Sequence, residues 1–171
     1  MDTRPLETPA TGQSEGVAGL SVRPAALRDI EGLWACSERA IRSSTNLPPL
    51  ELPYWLQYLM DQIALGLVAV VERHGEIVGL MVLGYATWPW CRPGNPAGTY
   101  LVNQAWFVDK GARRGGSAMK LLDWAKRIAD EHEMPLMIEI ATVDGDVAEH
   151  KDTFVKRAGF GYIGGKLLYR P

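Results

Sequence analysis

The stretch Trp106-Phe-Val-Asp-Lys-Gly-Ala-Arg-Arg-Gly-Gly-Ser-Ala118 holds the residue types with the clearest chemical use in this chain. An apolar segment ends at Val108 and a basic, glycine-rich turn follows. Apolar residues then recur at Ala118, Leu121, Leu122, Ala125, Ile128 and Ala129. That spacing predicts an amphipathic helix, clearest from Met119 to Glu131. A strand that enters a helix through glycines leaves several backbone N–H groups at the positive end of the helix dipole, aimed into one small volume. Such a volume attracts phosphate. Gly115 and Gly116 have no Cβ and Ala118 has only a methyl, so an anion can come close to the backbone, while Arg113 and Arg114 add positive charge. The alternative is an ordinary tight corner. No Gly-Lys-Ser/Thr ends the turn and the Gly-x-Gly-x-x-Gly spacing is absent, which excludes a Walker loop and a dinucleotide fingerprint.

The elements that must position this cradle follow from periodicity and punctuation. Leu20 to Arg23 reads as a short strand, and Pro24 opens a helix with a buried stripe of Leu27, Ile30, Trp34 and Ile41. A proline-punctuated connection from Ser43 to Pro53 leads to a helical pattern from Tyr54 to Ala64, through Trp55, Leu59, Met60 and Ile63, ended by Gly66. Leu67 to Glu72 and Glu76 to Tyr85 flank the turn Arg73-His-Gly75 as an antiparallel hairpin, with His74 a solvated loop histidine. Trp88 to Gly98 is too rich in proline and glycine for regular structure. Its tryptophans form either a substrate wall or a small core under the loop. Tyr100 to Val108 is the strand before the cradle. The strand Leu136 to Ala141 returns after a helix, so it lies parallel to its predecessor by a right-handed crossover. Asp144-Gly-Asp146 is a turn, Ala148 to Ala158 a helix closed by Gly159, and Tyr162-Ile163 with Lys166 to Tyr169 a terminal hairpin.

A chain of 171 residues with 47% hydrophobic content fits one domain from residue 20 to residue 171. Residues 1 to 19 are poor in large apolar side chains and read as a flexible or partner-pinned tail, which leaves room for a homo-oligomer or larger assembly that contacts it. A net charge of -2 argues against general nucleic-acid binding. No apolar run spans a bilayer and the first residues carry no leader pattern, so the expected location is the cytoplasm. Cys36 and Cys91 have neither metal spacing nor a disulfide framework, so the reading is free thiols and no metal site.

The order β, α, α, β, β, β, cradle-α, β, α, β, β, with Val108-x-Lys110-x-x-Arg113-x-x-Gly116-x-Ala118 in its middle and Lys156-Arg-Ala-Gly-Phe160 near its end, resembles the GNAT superfamily of acetyl-CoA-dependent N-acyltransferases. Small phage-encoded members look similar in style. The resemblance runs from about Leu20 to the C-terminus and implies an α/β (α+β) fold: a mixed, mostly antiparallel twisted sheet of about six to seven strands, helices on both faces, and a splayed parallel strand pair in the middle. It implies acetyl-CoA as cofactor. The backbone of Arg113, Arg114, Gly115, Gly116, Ser117 and Ala118 would bind the pyrophosphate, and Phe107 and Val108 would pair with the pantetheine arm as with an added strand.

Acyl transfer also requires an uncharged amine and a protonated leaving thiolate. Many relatives place a glutamate on the strand before the cradle, where this chain has Asn103, Gln104 and Ala105. Glu139, on the neighbouring strand, is the substitute base if it faces the cleft rather than outward. The tyrosine acid common in relatives is replaced by Val155, which leaves Tyr162 or Tyr169 to lend a hydroxyl or to pack in the core. Cys91 as a transient acyl carrier is a further alternative, although the superfamily transfers directly. The acceptor is an amine of unspecified kind: a small molecule, a protein N-terminus, a lysine or an aminoacyl group. A GNAT-fold binding or structural component with little catalysis is the competing reading.

Overall fold

The computed structural model describes residues 19–43, 49–113, 116–139 and 157–161. Five strands, Leu20–Pro24 (β1), Val68–Arg73 (β2), Glu76–Thr87 (β3), Thr99–Val108 (β4) and Leu136–Met137 (β5), form one sheet in the order β1-β2-β3-β4-β5. The first three pairings are antiparallel and β4 with β5 is parallel. The terminal hairpin around Gly164-Gly165 and the strand residues Ile140 and Ala141 lie outside the described residues, as do the tail up to residue 18 and most of the expected Ala148–Ala158 helix.

Helices cover both faces. On one face, Ile30–Arg42 (α1) and Leu52–Ala64 (α2) pack Leu33, Cys36 and Leu59 on Val68, Val70, Leu80 and Val82. On the other, Ser117–Glu131 (α4), which follows the single turn Lys110–Arg113 (α3), packs Leu121, Trp124, Ala125 and Ile128 on Ala69, Val71, Val78 and Met81. A sheet buried on both faces needs continuous apolar strands rather than alternating ones. The runs Val68-Ala-Val-Val71 and Ile77 to Leu83 have that composition, and each fully buried leucine in them stabilises the fold by about 1.5–3 kcal/mol through transfer alone.

Pro24 does not begin a helix. It ends β1 opposite Ala69, on a sheet edge where no donor is required of it. A 3-10 turn at Leu27–Asp29 intervenes, and its tighter winding shifts the phase of α1. Leu27 is therefore exposed, and the buried stripe runs through Leu33, Cys36 and Ser37 instead of Trp34 and Ile41. Asp29 anchors that turn. Its carboxylate accepts from the Ala26 N–H at 2.8 Å and from both terminal nitrogens of Arg23 at 2.7 and 2.9 Å, and Arg23 also meets Glu72 at 2.7 Å. In the Trp88–Gly98 loop Trp88 stacks on Trp90 at 5.1 Å and on Tyr100 at 4.7 Å between ring centroids, but Trp90 stays 78% exposed and neither tryptophan lines the main cleft, so the loop is neither a buried core nor the wall of that cleft. After the last helical residues, Arg157 and Ala158, Phe160 lies under the Lys126 ammonium, whose Nζ donates to the Ala158 carbonyl.

Candidate functional site

The parallel ladder between β4 and β5 is short. It pairs Leu101 with Leu136 and Val102 with Met137, and then stops. At the next residue a side chain replaces the backbone. The Asn103 Nδ2 donates to the Glu139 carbonyl at 2.9 Å, and the Glu139 N–H donates to the Asn103 Oδ1 at 2.6 Å. One primary amide thus offers the donor and acceptor that a strand residue would have offered, but from farther out, so at this level the two strands stand farther apart than a backbone ladder would hold them.

A second device sits one residue later. Leu83 pairs with Asn103 and Val82 with Ala105, which leaves Gln104 as an extra residue in β4, a β-bulge. The alternation of backbone groups is renumbered across it. Leu101 donates its N–H to Pro135 O on the β5 side (2.8 Å), whereas Asp109, at the same odd parity, donates to Val78 O on the β3 side (2.8 Å). Beyond the bulge it is therefore Trp106 and Val108 whose backbone groups point away from β3, to the β5 edge of the strand, and Phe107 whose backbone groups point to β3. The Val108 carbonyl accepts from Arg113 Nε at 2.9 Å.

The glycine-rich turn lies at the far end of that edge. Gly116 has φ 72, a left-handed conformation, and a Cβ added to it would meet no atom within 4 Å. It begins α4 with no side-chain cap and no acidic residue in the first turn, so the helix end keeps its positive character. The Ser117 hydroxyl is turned inward and donates to Ala112 O at 3.0 Å, tying α3 to α4 and leaving only its backbone for a ligand. Arg39 on α1 holds the junction from below, pairing with Asp109 at 3.0 Å and donating to Ile77 O at 2.7 Å.

On the α1/α2 side of β4 opens a cleft of about 910 Å³, lined among others by Tyr54, Trp55, Tyr58, Leu80, Asn103, Gln104, Phe107 and Glu139. Gly84 lets α2 close in on β3: a Cβ there would stand 2.8 Å from the Tyr58 hydroxyl and 3.1 Å from the Gln104 Cγ. Burial raises the Tyr58 phenol above its ordinary pKa. Among the described residues the space thus has Asn103 and Glu139 of the β4/β5 side and the aromatic side chains of α2 in its lining.

Comparison with solved structures bears on the fold. A predicted acetyltransferase from Clostridium acetobutylicum, solved with acetyl-CoA, superposes with a TM-score of 0.65 at 19% identity, covering 88% of this chain and 96% of that one. A GCN5-related N-acetyltransferase from Ralstonia eutropha gives 0.61 at 19%, covering 90% and 98%. The aminoglycoside 6'-N-acetyltransferase AAC(6')-Ih of Acinetobacter baumannii gives 0.63 at 15%, covering 90% and 98%. The chain has the GNAT fold. No protein-family profile matches the sequence, and no curated protein does.

Within the GNAT fold the residues singled out from sequence fall as follows. Gly116, Ser117 and Ala118 start α4, Arg113 reaches back to β4, and Arg114 and Gly115 lie outside the described residues. Val108 is buried by its side chain under α4, while Phe107 packs towards α1 and α2. Glu139 lines the cleft, and Tyr162 lies outside the described residues. Cys91 does not line the cleft; it sits in the stacked loop against Gly98. Sequence reasoning passed over Asn103 except as a failed base. Its signal would have been the adjacent amides Asn103 and Gln104 inside a strand whose neighbours, Leu101, Val102, Ala105 and Trp106, are apolar.

Proposed function

We propose that the protein is an acetyl-CoA-dependent N-acetyltransferase. The observation that carries this reading is the Asn103–Glu139 clamp, which replaces the β4/β5 ladder after two pairs among the described residues, on the strand that runs from the cleft to the start of α4. The open space at Gly116 fits a phosphate group. In this reading the backbone of Arg113, Arg114, Gly115, Gly116, Ser117 and Ala118 holds the pyrophosphate. The edge near Val108 pairs with the pantetheine arm, and Phe107 closes it from the cleft side. Two unpaired Cys residues suit the reducing cytoplasm, where we place the protein.

Bound acetyl-CoA supplies the thioester: the amine nitrogen forms the new C–N bond, the C–S bond breaks, and the proton shed by nitrogen ends on the departing thiol. The backbone N–H of Val108 would donate to the thioester oxygen, a donor of the kind that contributes about 3–4 kcal/mol when preorganised. An amine of pKa about 10.4 is neutral in only about one molecule in a few thousand at pH 7. Glu139 accepts its proton, directly or through water, and Tyr162 offers one to the sulfur.

The test is calorimetry with coenzyme A, combined with thiol release from acetyl-CoA across a panel of amines. Gly116→Asn keeps a residue that tolerates a left-handed backbone yet fills the open space. It should lose coenzyme A affinity by at least about tenfold with little change in unfolding temperature. Unchanged affinity would show that the cradle is elsewhere. Bound coenzyme A with no turnover for any amine would leave a binding module on this fold.

A further inference from the structure

We infer that the acceptor is a small primary amine with a flat aromatic body and a single cationic nitrogen, rather than a polycation; this rests on the transferase reading above. The cleft separates its two kinds of surface. Asn103, Gln104 and Glu139 gather at the end next to the β4/β5 divergence, where the nitrogen must lie, while Glu51 is exposed at the start of α2. The other end of the cleft is aromatic. Trp55 and Tyr58 on α2 stack with ring centroids 5.8 Å apart and planes 20° apart, and Phe107 belongs to the facing strand.

This wall is fixed in place. Trp55 Nε1 donates to the Ser37 hydroxyl at 2.9 Å, and that hydroxyl donates to Leu33 O at 2.8 Å, so the indole N–H is engaged by α1 and a guest meets ring surface. Tyr54, 76% exposed, extends the same wall at the mouth. Rigid aromatic surface stacks on another ring and tolerates one cation over a face. A molecule with ammonium groups on every side would have to strip their hydration against carbon, with few partners in return. Among the described lining residues only Glu51 and Glu139 carry carboxylates. Glu139 stands at the Asn103 end and Glu51 is exposed in front of Tyr54, so the described wall of Trp55, Tyr58 and Phe107 suits one ring, with one nitrogen beside Glu139.

The test uses the full chain, with and without coenzyme A, titrated calorimetrically with 2-phenylethylamine, spermidine and kanamycin. The expected result is that 2-phenylethylamine binds tightest, and that Tyr54→Ala, at an exposed position, and Phe107→Ala each weaken it by about tenfold. Spermidine binding should be unmoved by Tyr54→Ala. No heat with 2-phenylethylamine in either state overturns the inference, as does tighter binding of a polycation or an unchanged affinity in both variants. Turnover read in parallel separates the two levels. Acetylation of spermidine or kanamycin with aromatic amines untouched keeps the transferase and removes the aromatic specificity. Aromatic binding lost in Tyr54→Ala, with no acetylation of anything, keeps the site and removes the transferase.

Discussion

Replacing Asn103 by leucine removes both bonds of the clamp at nearly constant volume. The Glu139 N–H and carbonyl lose partners at 2.6 and 2.9 Å in a half-buried position. Each such loss costs about 1–3 kcal/mol when burial is complete, and half-burial brings the pair to about 2 kcal/mol in total. For a chain of this size that lowers the unfolding temperature by about 4–8 °C. Asn103→Asp separates the two bonds. The introduced carboxylate still accepts from the Glu139 N–H, but its second oxygen faces the Glu139 carbonyl with no hydrogen between them. Protonation restores a donor there. The introduced group therefore has a raised folded-state pKa, so its stabilising contribution is fully present below the ordinary value of about 3.9 and is lost as pH rises through the folded value. Urea unfolding of the three proteins at pH 7 and pH 5 is the assay, with coenzyme A affinity measured alongside. Asn103→Leu should weaken coenzyme A binding as well as the fold, because the divergent edge is no longer held. A loss below about 0.5 kcal/mol, the range of an ordinary surface change, or an Asn103→Asp deficit that does not shrink between pH 7 and pH 5, would refute the clamp.

The Asp29 carboxyl is held below its ordinary pKa, chiefly by its hydrogen bonds from Arg23. Its contribution is present above about pH 3.9 and fades as pH falls through the lower folded value. Acid titration of stability should show this limb, and Asp29→Asn should remove it at a cost of about 2 kcal/mol at pH 7. Burial pushes the Cys36 thiol up to about 12, whereas Cys91 is only half-buried. A maleimide at pH 7.5 should therefore label one site in the native protein, Cys91, and the second only on unfolding, as read by mass spectrometry. Cys91→Ser should leave any acetyl transfer intact, because this thiol sits in the stacked loop away from the cleft.

Features governed by local rules were legible in the sequence. Leu67 to Glu72 and Glu76 to Tyr85 showed as strands through composition, within one or two residues of the observed Val68–Arg73 and Glu76–Thr87, their turn through Arg73-His-Gly75, and α4 through its apolar repeat. The parallel placement of β5 followed from the helix that precedes it. What escaped depended on offsets of one or two residues. A three-residue 3-10 turn rotated α1, and hydrophobic periodicity carries no record of where a helix starts its count. Asn103 escaped because its role is defined by a partner 36 positions away. Phe107 and Val108 were placed correctly at the end of β4, but their division between cleft and helix side was hidden until the bulge fixed the alternation.

That bulge separates two things that usually change together. With Gln104 absent, Leu83 would still stand opposite Asn103 and Val82 opposite Ala105, so every other side chain of β4 would keep its face and the pairing would become continuous. The sheet has no architectural need of the residue. An extra residue in a strand bends it and sharpens its twist, and here the bend falls between the clamp and the edge that leads to α4. Gln104 is therefore a spacer whose side chain lines the cleft over Gly84 while the pairs on either side of it keep their faces.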